Sequence, residues 1–303
     1  MKEVLVKSLG FICIMIIGYT LKKRGFFKKE DGLFLSKIVM NITLPAALIA
    51  GASSMNINYV AIIIILVGLI SNLFNIVLVK FIQRRNSPVE RAISIINCSG
   101  YNVGNFAIPF AASFFEPTAL LYMCMFDMGN AFMVLGGAYA LAKNEVDGSG
   151  RLNIKKLIKT LLRSVPFDVL IFLFIMSALK ISIPKEVTTI ASMIGSANAF
   201  LAMLMIGIIL EINITKNQVK AVTKLLGMRY LCNVLLSCIF YIFLPVPILA
   251  KQMIIVVLFA PLSTISAVYS KMIDSDNPSP ALANSISIIL GIFIMTGLLI
   301  VFA

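Results

Sequence analysis

Ten apolar stretches, each about as long as a membrane-crossing helix, dominate this sequence and leave it few folds. A helix spans the hydrocarbon core in roughly 20 mostly apolar residues. The stretches run approximately over 4–21, 33–53, 59–82, 92–115, 118–142, 164–179, 187–212, 225–244, 252–273 and 280–302. Composition agrees: 60% of the 303 residues are apolar and 13% charged. A soluble domain carries about 45–50% apolar and 25% charged residues. A soluble enzyme and a disordered chain are both excluded. The expectation is an all-α polytopic membrane protein with ten transmembrane helices. The first stretch is followed by Lys22, Lys23 and Arg24 rather than a small-residue cleavage site, so it reads as a span.

The 26 Lys and Arg residues are unevenly spread between the loops. Lys2, Lys7, Lys180, Lys185 and Lys251 fall on one side, and the other 21 fall on or snorkel toward the opposite side. Cytoplasmic loops are enriched in Lys and Arg. The expected topology is therefore a multi-pass protein of the plasma (cytoplasmic) membrane with both termini outside. The net charge of +13 then reflects topology and not nucleic-acid binding.

The longest connection, 143–163, is cytoplasmic on this reading. It holds Asp147-Gly148-Ser149-Gly150, then Lys155, Lys156, Lys159 and Arg163. Its simplest role is an amphipathic segment on the anionic inner leaflet. It also divides the chain: 1–142 as a first five-helix repeat, 143–163 as a basic cytoplasmic linker, and 164–303 as a second five-helix repeat. With five spans per half, the second repeat is inverted, as in many secondary transporters.

Such transporters bind substrate where interrupted helices meet near the midplane. The fourth stretch carries Gly100, Asn102, Gly104, Asn105 and Pro109 close together. Glycine permits unusual φ, proline removes a donor, and asparagine in hydrocarbon needs a partner. The ninth stretch carries Pro261, Ser263 and Thr264. Asn102 lies ten residues into its stretch and Pro261 nine into its own, so the interruptions share a depth. In the second stretch, Pro45 should open the helical ladder near Asn41. Its counterpart in the seventh holds Gly195-Ser196-Ala197-Asn198 and Gly207, which suit packing or site-lining equally.

Charges inside a membrane are functional hypotheses by default. Asp127, one turn from Asn130 in the fifth stretch, is the candidate to carry a proton or hold Na⁺; the competing reading pairs it with Arg229. Arg229, about one turn into the eighth stretch, is expected to snorkel. Asp168 reads as part of a helix N-terminus, Glu211 as interfacial and Glu116 as a loop residue. The chain has no histidine. The five cysteines make no metal or disulfide pattern and read as small core residues. No phosphate-cradling loop or other catalytic motif is present, so the expectation is neither an enzyme nor an ATP-driven pump.

The order Asn41-Ile-Thr-Leu-Pro45-Ala, Asn102-Val-Gly104-Asn-Phe-Ala-Ile-Pro109, Asp127-x-x-Asn130 and Ala260-Pro261 resembles the auxin efflux carrier family. That family holds the plant PIN exporters and bacterial permeases for malate, malonate and similar acids. The resemblance implies two inverted five-helix repeats whose broken helices four and nine cross. It also implies a scaffold of helices one, two, six and seven beside a transport subdomain. Where the plant carriers have a proline before the helix-four asparagine, this chain has Tyr101. Where they use charged groups near the crossing, its third stretch offers Asn72 and Asn75.

The resulting expectation is a secondary transporter moving a small organic anion such as a carboxylate by alternating access, with a passive ion or small-solute channel as the alternative. Substrate would meet Asn102, Gly104, Asn105, Pro261, Ser263, Thr264, Asn41 and Pro45, with ion coupling at Asp127 and Asn130. No cofactor or metal is expected beyond a coupling H⁺ or Na⁺. Expected partners are the substrate, the bilayer and a second copy in a homodimer.

Overall fold

The computed structural model describes residues 2–51, 59–112, 114–115, 117–210 and 216–302. Glu116 and Glu211, read above as loop and interfacial residues, lie outside them. Among the described residues the chain is all-helical. Seven of its helices are long and apolar enough to cross a membrane, with shorter apolar helices beside them. We label them α1 (Lys2–Lys23), α2 (Lys29–Ala50), α3 (Tyr59–Ile82), α4 (Pro88–Cys98), α5 (103–111), α6 (Pro117–Phe132), α7 (Ala138–Asp147) and α8 (Ile154–Leu161). The remainder are α9 (Val165–Ala178), α10 (Lys185–Gly195), α11 (Asn198–Ile209), α12 (Lys216–Phe243), α13 (Ile248–Leu258), α14 (Thr264–Ile273) and α15 (Ser279–Phe302).

The helices are apolar on the outside as well as in the core, and their polar side chains turn inward. On α3, Ile62, Leu66, Ile70, Val77 and Phe81 form an exposed stripe, with Val77 68% exposed. Ser71, Asn72 and Asn75 on the same helix are completely buried. Lipid rewards no polar surface, so polar side chains turn inward to find partners.

Small residues let these helices approach closely. A Cβ on Gly68 of α3 would sit 2.1 Å from the Phe126 carbonyl oxygen of α6, and one on Gly129 of α6 1.9 Å from that of Ile65. The choice left open for the seventh stretch falls to packing. A Cβ on Gly195 would strike the Ala47 backbone, and one on Gly207 the Met15 backbone. Asn198 accepts a 2.8 Å hydrogen bond from the buried Thr43 hydroxyl.

The helices sort into two packing groups. Helices α1, α2, α9, α10 and α11 pack on one another, while α3, α4, α6, α7 and α12 to α15 form the second set. Helix α5 touches both.

Three expectations need correction. Helix α12 starts at Lys216, not near 225, because its first turns are polar yet built of good helix formers. Arg229 consequently lies well inside the helix and is 0% exposed, so it does not snorkel. Among the cysteines, Cys98, Cys124 and Cys232 are buried, but Cys13 and Cys238 face outward and are not core residues. Asp168 sits in the first turn of α9, as expected.

Candidate functional site

Helix α4 ends at Cys98, and Gly100 then takes φ +78°, a conformation glycine adopts without strain. Tyr101 pairs with Leu262 in an isolated antiparallel bridge, and the Asn102 amide donates to the Pro261 carbonyl at 3.0 Å. The break between α4 and α5 thus lies against the break between α13 and α14. Each break exposes backbone groups that a membrane interior cannot hydrate, and side chains from neighbouring helices satisfy them.

Arg229 makes more of these bonds than any other single side chain. One of its terminal nitrogens donates to the carbonyls of Asn97 and Cys98, both at 3.1 Å. The other donates to the carbonyls of Gly100 at 3.0 Å and Ala260 at 3.3 Å. Its guanidinium lies 4.7 Å from the centre of the Tyr101 ring. The carbonyl ends of α4 and α13 carry the negative poles of their dipoles, so a cation between them is favourable. This speaks against the competing reading that paired Asp127 with Arg229.

Asparagines complete the lining of the breaks. Asn233, four residues on from Arg229, donates to the Leu258 carbonyl at 2.6 Å and accepts from the Tyr101 hydroxyl at 2.9 Å. Asn75 donates to the Cys98 carbonyl at 3.0 Å, and Asn72 accepts from the Gly100 amide at 2.5 Å. Asn130 accepts from the Tyr101 amide at 3.0 Å and donates to its carbonyl at 2.9 Å.

The opposite ends of the breaks, where α5 and α14 begin, face a cavity of about 330 Å³. Asn102, Gly104, Asn105, Asp127, Asn130, Ser263 and Thr264 line it. First-turn amides of a helix have no intrahelical acceptor and carry the positive dipole end. The Asn102 side chain is nearly buried and makes no hydrogen bond within the described protein. Asp127 is half-buried, accepts from the Asn130 amide at 2.8 Å, and has no cationic partner among the described residues. Asn105 accepts from the Ser36 hydroxyl at 3.1 Å, which links α5 to α2.

Other expected site residues lie elsewhere. Pro261 contributes its carbonyl to the break but does not line the cavity. Asn41 is exposed and bonds the Lys37 carbonyl at 2.8 Å. Pro45 is buried, and α2 reaches the cavity through Met40 and Leu44. Proline does not break α2 open. The ladder widens to a π turn over Val39–Thr43, which absorbs the missing donor and resets which side chains face inward.

Sequence reasoning missed Arg229 and Asn233 as site builders. Their signal was there: an arginine and an asparagine four apart, on one face of a 28-residue helix.

A family model described as membrane transport protein matches residues 4–299. No curated protein matches the chain. The match spans nearly the whole sequence, and the chain belongs to this family, the auxin efflux carrier (PIN-like) family of membrane transporters.

Proposed function

We propose that this membrane transport protein is a secondary carrier for a small organic anion, working by alternating access. The reading builds on ten membrane passages arranged as two inverted five-helix repeats, 1–142 and 164–303, joined by a cytoplasmic linker with both termini outside. The broken passages α4–α5 and α13–α14 form the crossing that binds substrate.

One observation carries it: the polar groups of the cavity lining gather almost entirely on one packing group, while α2 and α9 of the other group close the cavity with mostly apolar side chains. Asn102, Asn105, Asp127, Asn130, Ser263 and Thr264 come from α5, α6, the breaks and α14. Met40, Leu44, Phe167 and Leu170 face them from α2 and α9, with Ser164 the polar exception on that side. A polar cradle beside a mostly apolar wall lets substrate travel with the cradle as it slides. Small differences in contact between the two arrangements then set which side is open.

A carboxylate fits the cradle without a lining arginine. Asn102 offers an unused amide donor, and two helix N-termini supply positive potential. Asp127 is the charged side chain in the lining, so an anion bound beside it and a proton or cation held on it favour one another. That linkage is the proposed coupling device. Asn130 orients Asp127 while holding the Tyr101 peptide.

The test is a thermal-shift screen of the purified protein with mono- and dicarboxylates and indole acids, followed by flux of the best binder into liposomes. Saturable flux of a stabilising anion supports the carrier. Flux rising linearly with concentration would overturn it in favour of a channel.

A further inference from the structure

We propose that α8 is a docking surface for anionic phospholipid headgroups, and that this lipid contact sets the width of the cavity mouth. The consequence for transport rests on the carrier reading; the two readouts below do not.

The helix and its flanks carry two adjacent stripes. Arg151, Lys155, Lys159 and Arg163 recur every four residues, and all four are exposed. Ile154, Ile158 and Leu162, one residue before three of these, are exposed as well, with Ile154 at 58%. At 3.6 residues per turn, the apolar stripe and the basic stripe lie side by side along the helix. No described carboxylate pairs with these four cations. An apolar stripe edged by unpaired cations fits the boundary between acyl chains and anionic headgroups. A protein partner would need matching acidic groups and an apolar patch together; the anionic leaflet supplies both along its whole surface.

The same helix frames the cavity. Leu161, at its C-terminal end, is buried and lines the cavity. Three residues further on, Ser164 begins a stretch with Pro166, Phe167 and Leu170 that continues the lining into α9. The other flank of α8 packs on Met133–Gly137, where Val134 and Leu135 line the cavity and Gly136 takes φ +153°. A shift of α8 on the membrane surface therefore moves both edges of the mouth. The irregular backbone at Gly136 is the compliant point beside it.

The experiment uses the full chain in vesicles of phosphatidylcholine alone or with phosphatidylglycerol. A fluorophore on Ile158→Cys reports insertion through quenching by doxyl-labelled lipid. Maleimide labelling of Leu135→Cys, with Cys13, Cys124 and Cys238 replaced, reports the mouth. We expect quenching and an about threefold or larger change in labelling rate with phosphatidylglycerol, both lost in K155Q/K159Q/R163Q and faded at high salt. Equal labelling rates in the two lipids overturn the coupling. An unchanged lipid effect in the triple variant overturns the role of these cations. Should that variant misfold, the salt series decides: a lipid effect persisting at high salt overturns the proposal. Reproduction of the effect by soluble glycerol phosphate overturns the membrane as its source. A protein that transports but shows no lipid effect loses this proposal alone.

Discussion

The Asn102 backbone amide donates a 3.0 Å hydrogen bond to the Pro261 carbonyl, joining two helix breaks from distant parts of the chain. The bond divides the roles of the break. Carbonyl ends on one side are held by Arg229, and amide ends on the other face the cavity. Asn102 belongs to both: its backbone is structural, and its side chain is free for a ligand.

Arg229→Met should strongly destabilise the protein. It strips donors from the carbonyls of Asn97, Cys98, Gly100 and Ala260 in a dry interior. The Cys98 carbonyl keeps Asn75, but each carbonyl left without a donor costs about 1–3 kcal/mol, so a loss of about 3 kcal/mol or more is expected. Arg229→Lys should recover part of it, since an ammonium keeps the charge but not the planar fork. Thermal unfolding in detergent measures both, and an unchanged midpoint for Arg229→Met would contradict the clamp.

Asn102→Ala should behave oppositely, weakening anion binding while leaving thermal stability nearly unchanged. Its side chain has no protein partner to lose, and a lost hydrogen bond to a charged ligand is worth about 1.5–3 kcal/mol, roughly 10-fold or more in affinity. A variant that loses stability without losing affinity would count against this assignment.

Asp127→Asn should remove the pH dependence of anion binding. In the parent, the anion prefers a neutral neighbour, so binding strengthens as pH falls through the titration of Asp127 and levels off below it. The asparagine variant should bind with one affinity across that range, as isothermal titration at several pH values can show. A parent-like pH profile in the variant would move coupling to another group.

Gly68→Ala should cost about 1–3 kcal/mol, because the new methyl would press on the Phe126 carbonyl at 2.1 Å. Gly227→Ala is the control: no atom lies within 4 Å of its Cβ position, and alanine favours helix. Thermal unfolding should separate the two, with the control equal to or above the parent.

A cysteine at Ser149, with Cys13 and Cys238 replaced, should resist an impermeant thiol reagent added to intact cells and label once they are opened. The unequal distribution of basic residues predicts this side for the loop. Labelling from outside would invert the proposed topology.

Read along the chain, much of this architecture was local and legible. Runs such as 59–82 must be helical in lipid, because each backbone group needs an internal partner. Gly100 and Pro261 marked the breaks because glycine and proline act on the backbone where they stand. Asn102 and Thr264 were readable as cavity residues because each lies beside an interruption, and Asp127 because a charge within an apolar run needs a polar setting.

Other assignments depended on how the helices turn against one another. Asn41 and Met40 are neighbours, yet the π turn of α2 and its packing direct Met40 into the cavity and leave Asn41 outside. Arg229 looked like a snorkelling residue until α12 began earlier and two foreign helix ends converged on its guanidinium. The sequence by itself determined that the chain is helical and apolar over most of its length and where two of its helices break, since those follow from local chemistry. The tertiary structure alone decided which polar groups are spent holding the breaks and which remain open to a ligand, because a buried donor's partner is set by long-range packing.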